Sequence, residues 1–386
     1  MMNTEKTEKY TIREDFYDTF RCIAGECSFT CCSQWKINVD EATKAQWQLM
    51  KPPAAVSPQY SSLAEYIKEE EGQDVIAMSA DHVCPFLNQE KLCELVMAYG
   101  DEALSHTCQV FPRLIQIYDD HIEYDLDPGC PEVMDRLYMN KSVSWISDGK
   151  TDKTADDLRM KIRDHMTAQI ADTHLSQTQG MLIDAYAMLE MLEQMDNGMA
   201  PELVFHQILS QRDVIEETIL GVETFREDTF DECNELLQDL MQNYIAKGYY
   251  PEYLESLCIW AEGCEIPDED TWTAFMKAMK PYLHFLRNYL CVTVHADTVM
   301  PEGTIEDMVV RLEWIAMNYA VIRHTMYLLW ENADEFTWPV VRDYIIVICR
   351  MMGYGHEDIR EYLSNSFESE IWDWGYFALM LGNDII

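Results

Sequence analysis

Phe20-Arg-Cys-Ile-Ala-Gly-Glu-Cys-Ser-Phe-Thr-Cys-Cys-Ser-Gln-Trp35 is the stretch on which the reading of this chain turns. Four cysteines, Cys22, Cys27, Cys31 and Cys32, fall within eleven residues, and Cys84, Cys93, Cys108 and Cys130 follow. The spacing is C-x4-C-x3-C-C, then C-x8-C, then two single cysteines. Thiolates take zinc, or iron in iron–sulfur clusters. Eight candidates fit one site with spare structural thiols, or two sites. Adjacent Cys31 and Cys32 are expected to point in different directions and so to serve different roles or to bridge separate sites. Cys233, Cys258, Cys264, Cys291 and Cys349 stand singly in helical sequence and read as inert core thiols.

Metal is preferred to disulfides because the redox compartment reads as reducing. The N-terminal Met-Met-Asn-Thr-Glu-Lys has no apolar secretory segment, and no apolar run reaches the roughly 18 residues a membrane span needs. The expected location is cytoplasmic, with no membrane association. The total of 13 cysteines is odd, which also speaks against a closed disulfide framework.

The charge balance narrows the partners. With 69 acidic and 28 basic residues the formal net charge is −41. Phosphate neutralisation needs Lys and Arg, so nucleic acid is excluded as a main partner, and an anionic membrane surface is disfavoured. A basic partner would be attracted.

Working outward from the cysteines, residues 11–40 lack a periodic pattern and read as loops. Asp40-Glu41-Ala42-Thr43 is a capped helix start, stopped at Lys51-Pro52-Pro53. Residues 61–71 read as a short charged helix. Cys84 to Cys93 reads as a tight reversal with its tip at 88–91, able to bring two thiols to one ion. Residues 113–126 alternate about Asp119-Asp120-His121 and predict a β-hairpin. Asp148 to Asp152 is a polar connector. Beyond it helical periodicity dominates, with helices expected near 158–170, 181–195, 201–210, 213–222, 233–245, 252–261, 270–290, 306–331 and 338–352. The aromatic segment Ile371–Phe377 is expected to dock on the helical body. The fold class is therefore mainly α: a small, irregular, Cys-rich metal-binding domain over 1–145 with a short β-hairpin, followed by an α-helical domain over 146–386.

Several common chemistries are missing. The radical C-x3-C-x2-C spacing fails, because Gln34 stands where the third cysteine would fall. There is no H-x-E deaminase signature, no G-x-G-x-x-G and no G-x-x-x-x-G-K-[ST], so no ordinary nucleotide loop is present. His82, beside Cys84, is a possible but unremarkable ligand.

The remaining signal is a pattern of short motifs. They are Phe20-Arg21-Cys22, Cys27, Cys31-Cys32-Ser33-Gln34-Trp35 and Asp40, then Cys84-Pro85-Phe86-Leu87-Asn88 and Leu92-Cys93. Gly100-Asp101-Glu102-Ala103-Leu104, Thr107-Cys108-Gln109-Val110-Phe111-Pro112-Arg113 and Cys130-Pro131-Glu132-Val133 complete it. This map resembles the flagellin lysine-N-methylase (FliB-type) family. It also shares a C-C motif with small proteins described as zinc- or iron-chelating. Phe285–Leu290 and the segment around Arg350 and His356 match more loosely. Members of that family often carry a further cysteine three residues before Cys108; here it is Ser105.

The resemblance implies a protein-lysine N-methyltransferase that moves methyl groups from S-adenosylmethionine to flagellin, or to another lysine-bearing protein, and carries a Cys-ligated [4Fe–4S] cluster or zinc. Cys22, Cys27, Cys31, Cys32, Cys84, Cys93, Cys108 and Cys130 are the expected metal ligands. Catalytic and S-adenosylmethionine-binding residues are not assigned. Asp119, Asp120, Glu123 and Asp125 on the hairpin are candidates for attracting a lysine, set against a plain solvated hairpin edge. The alternative function is a non-catalytic metal-binding or redox module whose helical body binds a partner.

Overall fold

The computed structural model describes residues 9–149, 157–367 and 369–382. Lys150–Asp152 of the expected connector lie outside them. The architecture is mainly helical, with strands confined to the N-terminal part.

The strands are β1 (Tyr10–Glu14), β2 (Ile67–Glu70), β3 (Gln73–Ile76), β4 (Arg113–Ile117), β5 (His121–Leu126) and β6 (Trp145–Asp148). The expected hairpin forms as β4–β5. It is half of a four-stranded sheet of order β4-β5-β1-β6, in which β1 runs parallel to β5 and antiparallel to β6. Two distant segments thus close a sheet that the local pattern showed only in part. The helix expected over 61–71 does not form. A 3-10 turn at Leu63–Tyr66 leads into β2, which pairs with β3. Glu71 and Gly72 both take positive φ and turn the chain back, a geometry that a continuing helix cannot accommodate.

In the Cys-rich part, α1 (Glu41–Trp47) is capped as expected, with Asp40 accepting from the Thr43 amide at 3.0 Å. Short helices α2 (Glu94–Tyr99) and α3 (His106–Val110) precede α4 (Pro131–Met139). Trp47, Tyr66, Ile76, Phe86 and Leu95 form one apolar core here, and Trp47 Nε1 donates to the Ala103 carbonyl.

The helical body contains α5 (Leu158–Ala171), α6 (Gln177–Asp196), α7 (Pro201–Ser210), α8 (Arg212–Leu220), α9 (Arg226–Lys247), α10 (Pro251–Glu262), α11 (Glu269–Met279), α12 (Leu283–Asp297), α13 (Ile305–Asn332), α14 (Trp338–Met351), α15 (His356–Ser366) and α16 (Trp374–Leu381). The single helix expected at 270–290 is two, α11 and α12, joined by a 3-10 turn around Pro281. Helix α13 starts at a Thr304/Asp307 capping box and is buried on nearly every side, making it the axis of the body. The aromatic C-terminal segment docks as expected: Trp372 and Phe377 are buried, and Trp374 Nε1 donates to the Leu182 carbonyl at 2.9 Å. No described helix is long and apolar enough to cross a membrane.

Candidate metal centre

The Cys22–Cys32 loop is irregular, with a 3-10 turn at Ala24–Glu26. Its shape is set by a close approach. A Cβ on Gly25 would come within 2.7 Å of the Glu90 carbonyl, so glycine lets this loop lie against the 88–92 reversal. That reversal forms as expected: Asn88 Oδ1 accepts from the Glu90 and Leu92 amides, and Leu87 pairs with Cys93. The Lys91 side chain then donates to the Cys27 carbonyl at 3.1 Å.

All eight expected cysteines line one cavity of about 610 Å³, together with Phe20, Ile23, Trp35, Phe111, Arg113 and Arg350. Cys84 is part of the N-terminal apolar core, and Cys32, Cys93 and Cys108 pack against that core. Cys130 belongs to the helical core on the other side. Cys31 lies between them, the neighbour common to Cys27, Cys84, Cys93, Cys108 and Cys130. The Cys31 and Cys32 thiols do not diverge as expected. Cys31 and Cys32 sit in a turn just before the Ser33–Val83 bridge, and the Cys32 thiol faces that of Cys31.

Burial helps to raise six of the eight thiols above their ordinary range. Cys108 is pushed up to about 11 and Cys130 to about 12, Cys27, Cys84 and Cys93 also move up, and the Cys32 contact together with burial raises Cys31 well above normal. Backbone amides work in the opposite direction. Leu95 and Val96 face Cys93, Glu132 and Val133 face Cys130 at the start of α4, and Phe86 faces Cys84. Empty, the pocket favours neutral thiols. A bound cation would offset the desolvation cost, and the amides would then serve thiolate sulfurs.

The spacing of the donors discriminates between metals. Zinc holds sulfurs at about 2.3 Å, which puts four of them roughly 3.8 Å apart. Among the described residues no three cysteine sulfurs lie within 4.8 Å of one another. Sulfurs spread around a cavity of this size suit a cluster of several irons and sulfides better than a single ion. The eight thiols around this cavity supply enough donors for an iron–sulfur cluster, and no compact group of three or more cysteine sulfurs is preassembled among the described residues.

The helical body closes the pocket. Arg350 donates from Nε to the Gly129 carbonyl at 3.0 Å, and from its two Nη atoms to Thr30 at 3.0 Å and Phe29 at 3.3 Å. Its guanidinium lies over the Phe29 and Trp35 rings and favours the thiolate forms of Cys27 and Cys31. Arg342, two turns earlier on α14, holds Ser28 Oγ at 2.6 Å and Asp135. A second clamp joins Gln34 Oε1 to the Tyr250 amide at 2.8 Å.

Other expected residues lie elsewhere. His82 stacks on Tyr249 and is hydrogen-bonded to the Lys247 carbonyl, outside the cavity. Ser105 is buried, caps α3 and lines the cavity. Cys233, Cys258, Cys291 and Cys349 lie on α9, α10, α12 and α14, and Cys264 just past α10, none of them lining the pocket. Asp119 and Asp120 sit at the hairpin turn, but Glu123 and Asp125 are fully buried against the helices, so they are neither a solvated edge nor an accessible lysine trap. Arg350 was missed as a site residue. Its sequence signals are the loose family match around it and its place as a lone arginine ending the apolar run Tyr344–Cys349.

A family model described as FliB lysine N-methylase C-terminal domain matches residues 111–380, more than half of the chain. This chain belongs to that family. Of the eight cavity cysteines, the FliB match spans Cys130 alone. Among curated proteins, the chain is 29% identical over 146 residues to the flagellar biosynthetic protein FliU of Salmonella muenchen, covering 37% of this chain and 86% of that protein. It is 29% identical over 144 residues to a lysine-N-methylase of Salmonella choleraesuis (strain SC-B67), and 28% identical over 144 residues to one of Salmonella typhimurium (strain LT2). Each of those two alignments spans 36% of this chain and 36% of the relative's length. No solved structure matches the chain.

Proposed function

We propose that this FliB-family protein is an S-adenosylmethionine-dependent protein-lysine N-methyltransferase acting on flagellin, with an iron–sulfur cluster held by cysteines of the 22–130 region. Family membership and relatives named lysine-N-methylase support the reaction class. The observation that carries the metal part is the convergence of eight thiols on one cavity closed by Arg350.

Methyl transfer to lysine forms an N–C bond and breaks the sulfonium S–C bond, leaving S-adenosylhomocysteine. The ammonium must first lose its proton, so the site needs a nearby base or a desolvating wall. Asp101, Glu102 and Glu132 line the cavity and supply carboxylates, while Trp35, Phe111 and Phe20 supply aromatic faces that favour cations. With no glycine-rich nucleotide loop in the sequence, the cofactor is assigned to the seam between the Cys-rich part and the helical body, where these groups meet. When bound, the cluster supplies a redox-active iron centre; the residues around it orient the loops and exclude water.

The test is direct. Protein isolated without oxygen should be brown and contain iron and acid-labile sulfide, and it should transfer label from methyl-labelled S-adenosylmethionine to flagellin. Iron-loaded, folded protein that transfers no label would sink the catalytic reading and leave the metal-binding or redox module. Stoichiometric zinc without iron would sink the cluster.

A further inference from the structure

The sheet face that packs on the helices is charged where an apolar face is the rule. In β5, alternation turns His121, Glu123 and Asp125 inward, and all three are buried. Glu14 follows the last paired residue of β1 in the register that joins Arg13 to Tyr124, which sets it beside Asp125. From the helices, α12 brings His295 and α5 brings Arg163.

Some of these charges are matched. Glu123 Oε2 accepts from Arg163 Nη1 at 2.6 Å, and its Oε1 faces His121 Nε2 at 3.2 Å. Burial would raise Glu123, but these partners hold it down at about 2, so it stays ionised. Both cations are already shared with further carboxylates, His121 with Asp120 and Arg163 with Asp164. Asp125 Oδ1 accepts from Trp145 Nε1 at 2.8 Å and lies 3.2 Å from His295 Nδ1.

The remaining atoms have no such match. Glu14 is 1% exposed, and neither of its oxygens makes a hydrogen bond of good geometry, the Leu126 backbone being the one group that offsets its burial. Asp125, 1% exposed, leaves Oδ2 unpartnered, and His295, 4% exposed, leaves Nδ1 without a hydrogen bond of good geometry. Buried polar atoms left this way are costly, and several in one place call for a missing partner. Donor atoms of Glu123, Asp125 and His295 already lie within 4.8 Å of one another. The His295 ring is held by stacking on Trp145 at 4.0 Å, so its orientation is set before any ligand arrives.

We propose that Glu123, Asp125 and His295, completed by Glu14, form a buried divalent-metal site separate from the cysteine cavity. One imidazole nitrogen and several carboxylate oxygens suit Mn²⁺, Fe²⁺ or Zn²⁺. The ion neutralises the surplus carboxylate charge and ties β1 and β5 to α12, so its role is to fix the sheet against the helical body.

Mn²⁺ is the probe of choice, because it prefers oxygen and nitrogen to thiolate and so does not report on the cysteines. Full-length protein is titrated with Mn²⁺, following the free-ion electron paramagnetic resonance signal, and its melting temperature is measured with and without the ion. One saturable equivalent is expected. His295→Gln and Asp125→Asn should each weaken it by at least about tenfold, while Cys258→Ala on α10, outside both sites, leaves it unchanged. Glu14→Gln should raise the melting temperature of the metal-free protein, by removing a buried carboxyl that burial and Asp125 keep from ionising, and shrink the rise that Mn²⁺ produces. This last variant decides the matter if the histidine variant does not fold. Absence of a saturable Mn²⁺ site in the unaltered protein, or a site indifferent to His295→Gln and Glu14→Gln, overturns the proposal.

Discussion

Arg350 Nη1 donates to the carbonyl of Thr30 at 3.0 Å, joining residues 320 positions apart in the chain. One side chain therefore ties α14 to the loop that carries Cys27, Cys31 and Cys32. Arg350→Ala leaves three buried or half-buried carbonyls, those of Phe29, Thr30 and Gly129, without their donor. A loss of about 3 kcal/mol in stability is expected, together with reduced iron content. Thermal melting and metal analysis check both. Arg350→Lys should recover little of either, because an ammonium cannot reproduce the three-way fork.

The cysteines divide into two behaviours. Cys31→Ala should release most of the metal and loosen residues 20–35, because its sulfur neighbours five of the other cavity thiols. Cys32→Ala should also release metal, while Cys258→Ala on α10 should change neither metal content nor proteolytic resistance. Iron analysis and limited proteolysis give the comparison, and equal metal in all three variants refutes the ligand assignment.

Gly25 is tested by its missing side chain. In Gly25→Ala the new methyl would lie 2.7 Å from the Glu90 backbone carbonyl, so the Cys22–Cys27 loop must move away from the 88–92 reversal. A destabilisation of about 1–3 kcal/mol is expected. Hydrogen exchange should report faster opening confined to these two segments.

Glu313, buried on α13, gives a pH dependence with a definite sign. Burial raises its carboxyl from the ordinary 4.5 to about 8, against the opposing effect of the Trp372 amide 2.8 Å away. The folded protein therefore holds a proton that the unfolded chain has lost. Stability is fully present below about pH 4.5 and declines as pH rises towards about 8, the unfolded state binding fewer protons throughout that window. Glu313→Gln should flatten the melting temperature across it, measured by calorimetry from pH 5 to pH 8.

Helix α13, the β4–β5 hairpin and the Asp40 cap were legible because each is written in local periodicity or in one capping residue. The 61–71 segment was not, because its charged residues fit a solvated helix as well as a strand, and the positive-φ turn at Glu71-Gly72 decided the matter. Strands β1 and β6 were invisible for a related reason: their pairing is with residues more than 100 positions away.

The amino-acid sequence by itself determined that this is a mainly helical chain with a cysteine-rich N-terminal part, because composition, helical period and cysteine spacing are local properties. Tertiary structure alone decided that eight thiols face one cavity, that Arg350 closes it, and that Glu123 and Asp125 turn inward to meet His295. Those outcomes depend on which face of each element is buried and on what packs against it. Such long-range contacts form only when the sheet and the helices close on one another.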